Sequence, residues 1–405
     1  MNYSLVAMSS ASGHVVIVGG GVAGLEALIA LRNLAGARVA ATLVSREDSF
    51  VDRPRAVTEP FGLGVAARYS LAEIAAELDT QFVHATVEAV AAAEHEVSCA
   101  GGVRLAFDTL ILAPGARMRA PLRDAIGFGL AGSGEVLKEL IGRLRRGESR
   151  RVAFVAPSEV GWLLPLYELA LMTAHALSRG AVQEVQLCLV TPEPRPLRLF
   201  GDRASESVAR LLAAGAIEFV GETRATVRGG ELVLGATGRT IALDSVVTLP
   251  LLCGPGLTGV PAASAAGFIE VDEHGRVRGL VDVYAAGDAV DFAVKQGGIA
   301  AQQADAVAVH VAARYGADVA PAPFAPVLRG MLLTGGEPRY LRADVPDADA
   351  EIAGAQYPLW WPPTKIAGRY LSPYLWGRSD VPPFGRPADA FIDVDIPLTA
   401  STWPA

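Results

Sequence analysis

The apolar positions of this chain fall in short unbroken runs that alternate with longer stretches of helical composition. Val15, Val16, Ile17 and Val18 form the first run. It is too short for a helix and lacks polar alternation, so it predicts a strand buried on both faces. A helix is predicted over 25–33 and a second strand over 38–45, RVAATLVS. Further strands are predicted at 82–87, 185–190, in DTLILAPGA (108–116) and in VYAAGDA (283–289), the last two running into Gly turns. The strand-helix pattern restarts with RVAFVAP at 151–157. The longest apolar stretch, 160–177, contains Pro165, Glu168 and His175, which makes it a poor bilayer span and a good buried helix.

Alternation of this kind predicts an α/β fold in two halves. Residues 14–120 make the first half and 121–250 the second. Residues 251–320 return to the first half through LCGPGLTGVP (252–261) and a hairpin expected in FIEVDEHGRV (268–277). An Ala/Pro-rich connector at 315–326 then leads into a C-terminal α+β module, 321–405. There Pro362, Pro363, Pro373, Pro382 and Pro383 forbid a long continuous helix. Trp360, Trp361 and Trp376 are candidates for a substrate-pocket wall, a homodimer contact or plain packing.

Composition narrows the function classes. At 405 residues and 51% hydrophobic the chain can bury the cores of two or three domains. A formal net charge of -8, with no cationic cluster interleaved with aromatics, argues against nucleic acid. Arg143, Arg145, Arg146, Arg150 and Arg151 read as a solvated helix end and loop. Cys99, Cys188 and Cys253 are far apart and form no C-x-x-C, as expected of small core residues in a reducing compartment. His14, His175 and His310 have no spacing for a metal or a nucleophilic triad, so no metal site is expected. Residues 1–12 lack a basic start and an apolar core, and the expectation is a cytoplasmic protein without a transmembrane segment.

The candidate chemistry begins in HVVIVGGGVAGLEA (14–27), where G-x-G-x-x-G joins a predicted strand to a predicted helix. Gly19 serves the tight turn, Gly21 lets the backbone approach a pyrophosphate, and Gly24 lets helix and strand pack closely. The helix start offers free N–H groups to the anion. Alone, this predicts a dinucleotide in the first of two Rossmann-like halves. In VYAAGDA the strand carries Gly287 and ends at Asp288, whose carboxylate can accept hydrogen bonds from a sugar-like chain. DTLILAPGA, with Ala113 and Gly115, resembles the segment that returns to the dinucleotide in flavoproteins with two dinucleotide domains.

In this order the three segments resemble the FAD-dependent pyridine-nucleotide-disulfide oxidoreductases, and KQGGIAAQQADAVA (295–308) is similar to the branch holding type-II NADH dehydrogenases and sulfide:quinone oxidoreductases. TPEPRPLRLFG (191–201) is similar to the sulfide:quinone subgroup. The resemblance implies FAD, with Asp288 on the ribityl chain and the backbone of Gly297 and Gly298 facing the flavin's pyrimidine edge. It further implies Val87 as an adenine contact, and Arg46 and Arg53 as phosphate or adenine contacts. Where a ribose-binding acid is expected the chain has Ser45; Glu47, two residues on, is either that acid or a solvated loop residue.

The second half departs from the pattern. Its turn, in APSEVGWLLPLYELA (156–170), has Gly161 as its lone glycine, which puts nicotinamide binding in doubt while NAD(P)H stays a candidate. Glu193 is either a ribose ligand or a loop acid. The cysteines that flank the flavin in sulfide-oxidising relatives are missing. Glu168 and Lys295 are the candidates for polar chemistry, brought together at the ring by the resemblance, with Gln302 and Gln303 as candidate pocket residues. The expected function is a FAD-dependent oxidoreductase acting on small molecules, with a quinone-like or other small organic acceptor. A tailoring flavoenzyme of specialised metabolism and a low-turnover flavin-binding module are the alternatives.

Overall fold

The computed structural model describes residues 13–156, 161–180, 182, 184–228, 230–235, 237–342 and 359–378. Expectations for residues 1–12, 157–160 and the prolines at 382 and 383 lie outside the described residues. The apolar runs form two five-stranded parallel sheets. In the first the order is Val283–Ala285, Thr109–Leu112, Gly13–Val18, Val39–Ser45, Gln81–His84. In the second it is Ile126–Gly127, Ser245–Thr248, Arg151–Val155, Gln186–Val190, Ile217–Val220. The fold is α/β with Rossmann-like sheets.

The runs are unbroken because each sheet is covered on both faces. Val15, Ile17, Leu43 and Ile111 pack against the helices Val22–Leu34 and Gly297–Arg314. The alternate residues Val16, Val18, Val44 and Leu112 pack against Val87, Val90 and Val97 of a small antiparallel sheet, Val87–Ala91, Glu96–Cys99, Arg104–Ala106. The predicted strand at 82–87 is thus two strands in two sheets. Ala85 N–H still donates to Ser45 O of the first sheet, and at the next residue Thr86 O accepts from Ala100 N–H of the other. The hairpin expected at 268–277 reduces to a tight turn with a single Val271–Val277 bridge.

The longest apolar stretch becomes the helix Leu164–Arg179, with Pro165 in its first turn, where a missing N–H costs no hydrogen bond. Among the described residues no helix is long and apolar enough to cross a membrane. The C-terminal residues are divided between the two cores. Leu328, Leu332 and Leu341, from and beside the hairpin Arg329–Leu332 with Arg339–Arg342, join the core of the second sheet. Ile366, Leu371 and Leu375 join that of the first. Residues 364–376 therefore form a strap, and the three anchors contribute about 1.5–3 kcal/mol each by burial.

Candidate functional site

In an open parallel sheet, ligands bind beyond the carboxyl ends of the strands, where the strand order reverses. In the first sheet that point lies after Gly13–Val18, whose neighbours on its two sides are Val39–Ser45 and Thr109–Leu112. All three motifs open there. Gly19 has φ +113°, and a Cβ on it would lie 2.0 Å from Ala113 O. Gly24 is as constrained, since its Cβ would lie 1.8 Å from Gly19 O. Gly21 is the opposite case: no atom lies within 4 Å of a Cβ placed there. The helix Val22–Leu34 starts beside that open space with no side-chain cap and no acid in its first turn. Free N–H groups and a positive helix end facing a void suit a pyrophosphate.

The other two strand ends close around this loop. Ala113 N–H donates to Val18 O at 2.7 Å, and Gly115, with φ +74°, has open space at its Cβ position. Gly287, with φ +78°, comes close enough to Ala23 that an added Cβ would sit 2.9 Å from the alanine methyl. Asp288 is enclosed by protein yet keeps part of its surface open into the cleft. Burial raises its pKa, and the charges of Lys295 and Arg53 oppose that shift. At the far wall Gln296 caps the helix Gly297–Arg314 by accepting from Ile299 N–H at 2.8 Å. Ile366 lies 3.4 Å from the Cβ position of Gly297, and Ala367 lies 3.6 Å from that of Gly298.

At the other end of the cleft, Ser45 accepts a hydrogen bond from Glu47 N–H at 3.1 Å, shaping the loop. Glu47 makes an exposed ion pair with Arg46 at 3.3 Å. Val87 is buried at the start of its strand, paired with Cys99. Gln302 and Gln303 are tied into the scaffold: Gln303 accepts from Gly287 N–H at 2.8 Å, and Gln302 binds both backbone groups of Val327. Trp360 is packed inward, its indole N–H donating to Thr364 O at 2.9 Å. Trp361 and Trp376 stack edge to face at 5.5 Å.

Glu168 and Lys295 do not pair. Glu168 is fully buried, and both its oxygens are 2.6 Å from Lys365 Nζ; Leu333 N–H donates to it at 2.9 Å. Burial raises the Glu168 pKa, and Lys365 pulls it back. Lys295 instead donates to Val290 O and lies 3.8 Å from the centre of the Phe268 ring. Burial pushes Lys295 down to about 8, with Asp288 and Asp291 opposing. The physical reason for the exchange is reach, because the strap carries Lys365 onto the helix bearing Glu168. Asp52 adds a third group beside this pair: its buried Oδ1 has no partner, its pKa is raised by burial, and Arg55 and Lys365 are the cations that oppose the shift. Lys365 was detectable in the sequence, which has only three lysines, Lys138, Lys295 and Lys365, among 35 basic residues. Unlike arginine, a lysine is able to give up its proton as well as carry it.

The second sheet has the same switch point after Arg151–Val155, but the space there is used differently. A Cβ on Gly161 would lie 1.8 Å from Ala293 O, so this glycine serves a close contact with the chain just beyond Asp288. Glu193 is turned inward, accepting from the Tyr167 hydroxyl at 2.6 Å, and burial pushes its pKa up to about 7. Trp162 packs edge to face on Phe200 at 5.8 Å. Cys99 and Cys188 are buried in sheets, Cys253 is part-buried, and all three are free thiols. Cys188 is pushed up to about 12 by burial.

The family model described as pyridine nucleotide-disulphide oxidoreductase matches residues 13–305. The chain belongs to this family. It is a FAD-dependent oxidoreductase, and the family includes NAD(P)H-dependent members. Among solved structures it is similar to the sulfide:quinone oxidoreductase of Aquifex aeolicus, with 20% identity, 82% of this chain and 83% of that chain covered, and a TM-score of 0.74. It is also similar to the ferredoxin reductase for the CYP199A2 system of Rhodopseudomonas palustris, with 20% identity, 81% of each chain and a TM-score of 0.59. NDH2 of Plasmodium falciparum in complex with NADH gives 15% identity, 69% of this chain and 64% of that chain, with a TM-score of 0.57. No curated protein sequence matches. The void at Gly21, the uncapped helix start and the open carboxylate of Asp288 fit FAD. Gly19, Gly21 and Gly24 would hold its pyrophosphate, and Asp288 its ribityl chain.

Proposed function

We propose that this oxidoreductase moves electrons from a small organic reductant, through non-covalently held FAD, to a quinone-like acceptor. Bound FAD supplies a store that takes up and releases two electrons. The chain's own part is to bind, enclose and manage protons. The observation that carries the reading is the buried Glu168–Lys365 pair, next to the residues that cover Gly297 and Gly298. Reducing a quinone to a quinol takes two electrons and two protons, and a lysine shared between Glu168 and the nearby Asp52 can hold one of those protons out of bulk water. The positions of Cys99, Cys188 and Cys253 favour chemistry without a disulfide relay. Gly161 against Ala293 and Glu193 against Tyr167 favour an organic donor over NAD(P)H, because backbone and acid are both already engaged.

The test is anaerobic stopped-flow spectroscopy of the purified flavoprotein. Photoreduced protein mixed with menadione should recover its flavin absorbance rapidly, and Lys365→Met should slow that step about 10²-fold. NADH and NADPH should reduce the flavin slowly, and a triple Cys→Ser variant should match wild type. Failure of menadione to reoxidise the flavin would refute the acceptor. Rapid reduction by either nicotinamide would refute the donor, and loss of turnover in the thiol-free variant would restore a thiol relay.

A further inference from the structure

Two buried acids lie where the strap meets the first unit. Glu26 sits in the helix Val22–Leu34, five residues beyond Gly21, and is fully buried. It accepts hydrogen bonds from Tyr370 N–H and Leu371 N–H of the strap, each at 2.7 Å. Gly368 is needed at this contact, since a Cβ there would lie 2.5 Å from Glu26 Oε2 and 3.3 Å from Ala301. From the neighbouring helix, Asp305 hydrogen-bonds to Glu26 through its side chain, while its Oδ1 is shut off from solvent without a partner. Two carboxylates cannot share a hydrogen bond unless one carries a proton. The charged or titratable groups facing Asp305 are Glu26, Arg369 and Tyr370.

We infer that Asp305 is a positioning residue: as the neutral acid it donates to Glu26, and this shared proton clasps the 364–376 strap, holding Lys365 on Glu168 at the flavin cleft. Glu26 already serves two backbone donors as an anion, so Asp305 is the member that keeps the proton. Removing the proton sets two negative charges side by side in a poorly solvated place. The geometry leaves the strap as the part that yields, since both helices are fixed by the core and the strap touches Glu26 through two amides. Burial and the Glu26 charge raise Asp305 to about 9, and Arg369 opposes this. The clasp is closed below that value and opens as pH rises through it.

This inference goes beyond the quinone reading and rests on it only for the link to the cleft, so the test has two arms on the flavin-loaded protein. Hydrogen exchange, normalised to intrinsic rates, reads the amides of 368–373 directly. In wild type their protection should fall about tenfold per pH unit above about pH 9. Asp305→Asn keeps the donor and cannot ionise, so it should hold protection through the same range. Glu26→Gln should also abolish the transition, because no anion remains to share the proton. The second arm follows the flavin midpoint potential with pH, expecting a break near the same value in wild type and none in Asp305→Asn. A flat wild-type exchange profile, or an unchanged transition in Asp305→Asn, overturns the clasp. A strap that opens while the potential shows no break overturns the positioning role. Absence of bound flavin would instead refute the cofactor reading and leave the exchange arm decisive.

Discussion

Removing one member of the Glu168–Lys365 pair is the perturbation whose outcome the structure fixes most closely. Lys365 Nζ lies 2.6 Å from both carboxylate oxygens, Glu168 is fully buried and Lys365 is 8% exposed. In Lys365→Met the carboxylate keeps, among the described residues, one donor, Leu333 N–H at 2.9 Å. Breaking a buried pair by deleting one partner costs about 3–5 kcal/mol. Glu168→Gln strands the ammonium and should cost a similar amount. In the double variant both charges of the pair are gone, the glutamine can still accept from Leu333, and methionine fills much of the lysine's volume. The two losses should therefore not add, with a coupling of at least about 3 kcal/mol and a double variant no less stable than either single one. Urea unfolding at saturating FAD, followed by intrinsic tryptophan fluorescence, measures all four proteins. The pH sign is fixed as well. A carboxyl whose folded pKa is raised loses its stabilising contribution as pH rises, and without Lys365 the Glu168 value rises further. The deficit of Lys365→Met should thus widen from about pH 5 to about pH 8. Additive losses, single costs below about 1 kcal/mol or a shrinking deficit would refute the argument.

Gly21→Val should leave a folded protein without flavin, because its Cβ meets no protein atom, whereas Gly24→Val should fail to fold, because its Cβ would strike Gly19 O at 1.8 Å. The ratio of flavin to protein absorbance, with circular dichroism, separates the two outcomes, and a flavin-replete Gly21→Val protein would refute the pyrophosphate site. Glu193, raised from 4.5 to about 7, makes the folded state lose stability as pH climbs through that window. Glu193→Gln should flatten the loss and gain about 3 kcal/mol relative to wild type at the alkaline end, as measured by urea unfolding across pH.

What was legible in the sequence was whatever depends on local pattern. Val15 to Val18 and Thr109–Leu112 read as buried strands because both faces of the sheet are covered, and Gly19 and Gly24 read as a tight turn into a helix because each meets backbone too closely to carry a Cβ. The division of 82–87 between two sheets was not legible, because it turns on which partner accepts the hydrogen bonds of Ala85 and Ala100. The partner of Glu168 was missed for a related reason. Lys365 is 197 residues away, in an irregular Pro-flanked segment with no periodicity to place it. Glu26 did leave a sign, an acid inside the apolar run GLEALIAL at 24–31, where an unpaired charge would be untenable.

The interleaving of the sheets imposes an order in time. The second sheet uses strands from 126 to 248, so all of its pairings are available once that length has been synthesised. The first sheet starts earlier, yet its edge strand Val283–Ala285 emerges about 170 residues after Thr109–Leu112, its neighbour. At about 5–20 residues per second on the ribosome, the edge of Thr109–Leu112 stays unpaired for roughly 10–30 seconds, and the second sheet is complete before that edge is covered. The carboxylate of Asp288 and the helix start at Gly297 arrive after that, and the strap last. The half of the molecule begun first is thus finished second, and a cofactor arriving early finds glycines but no place to stay.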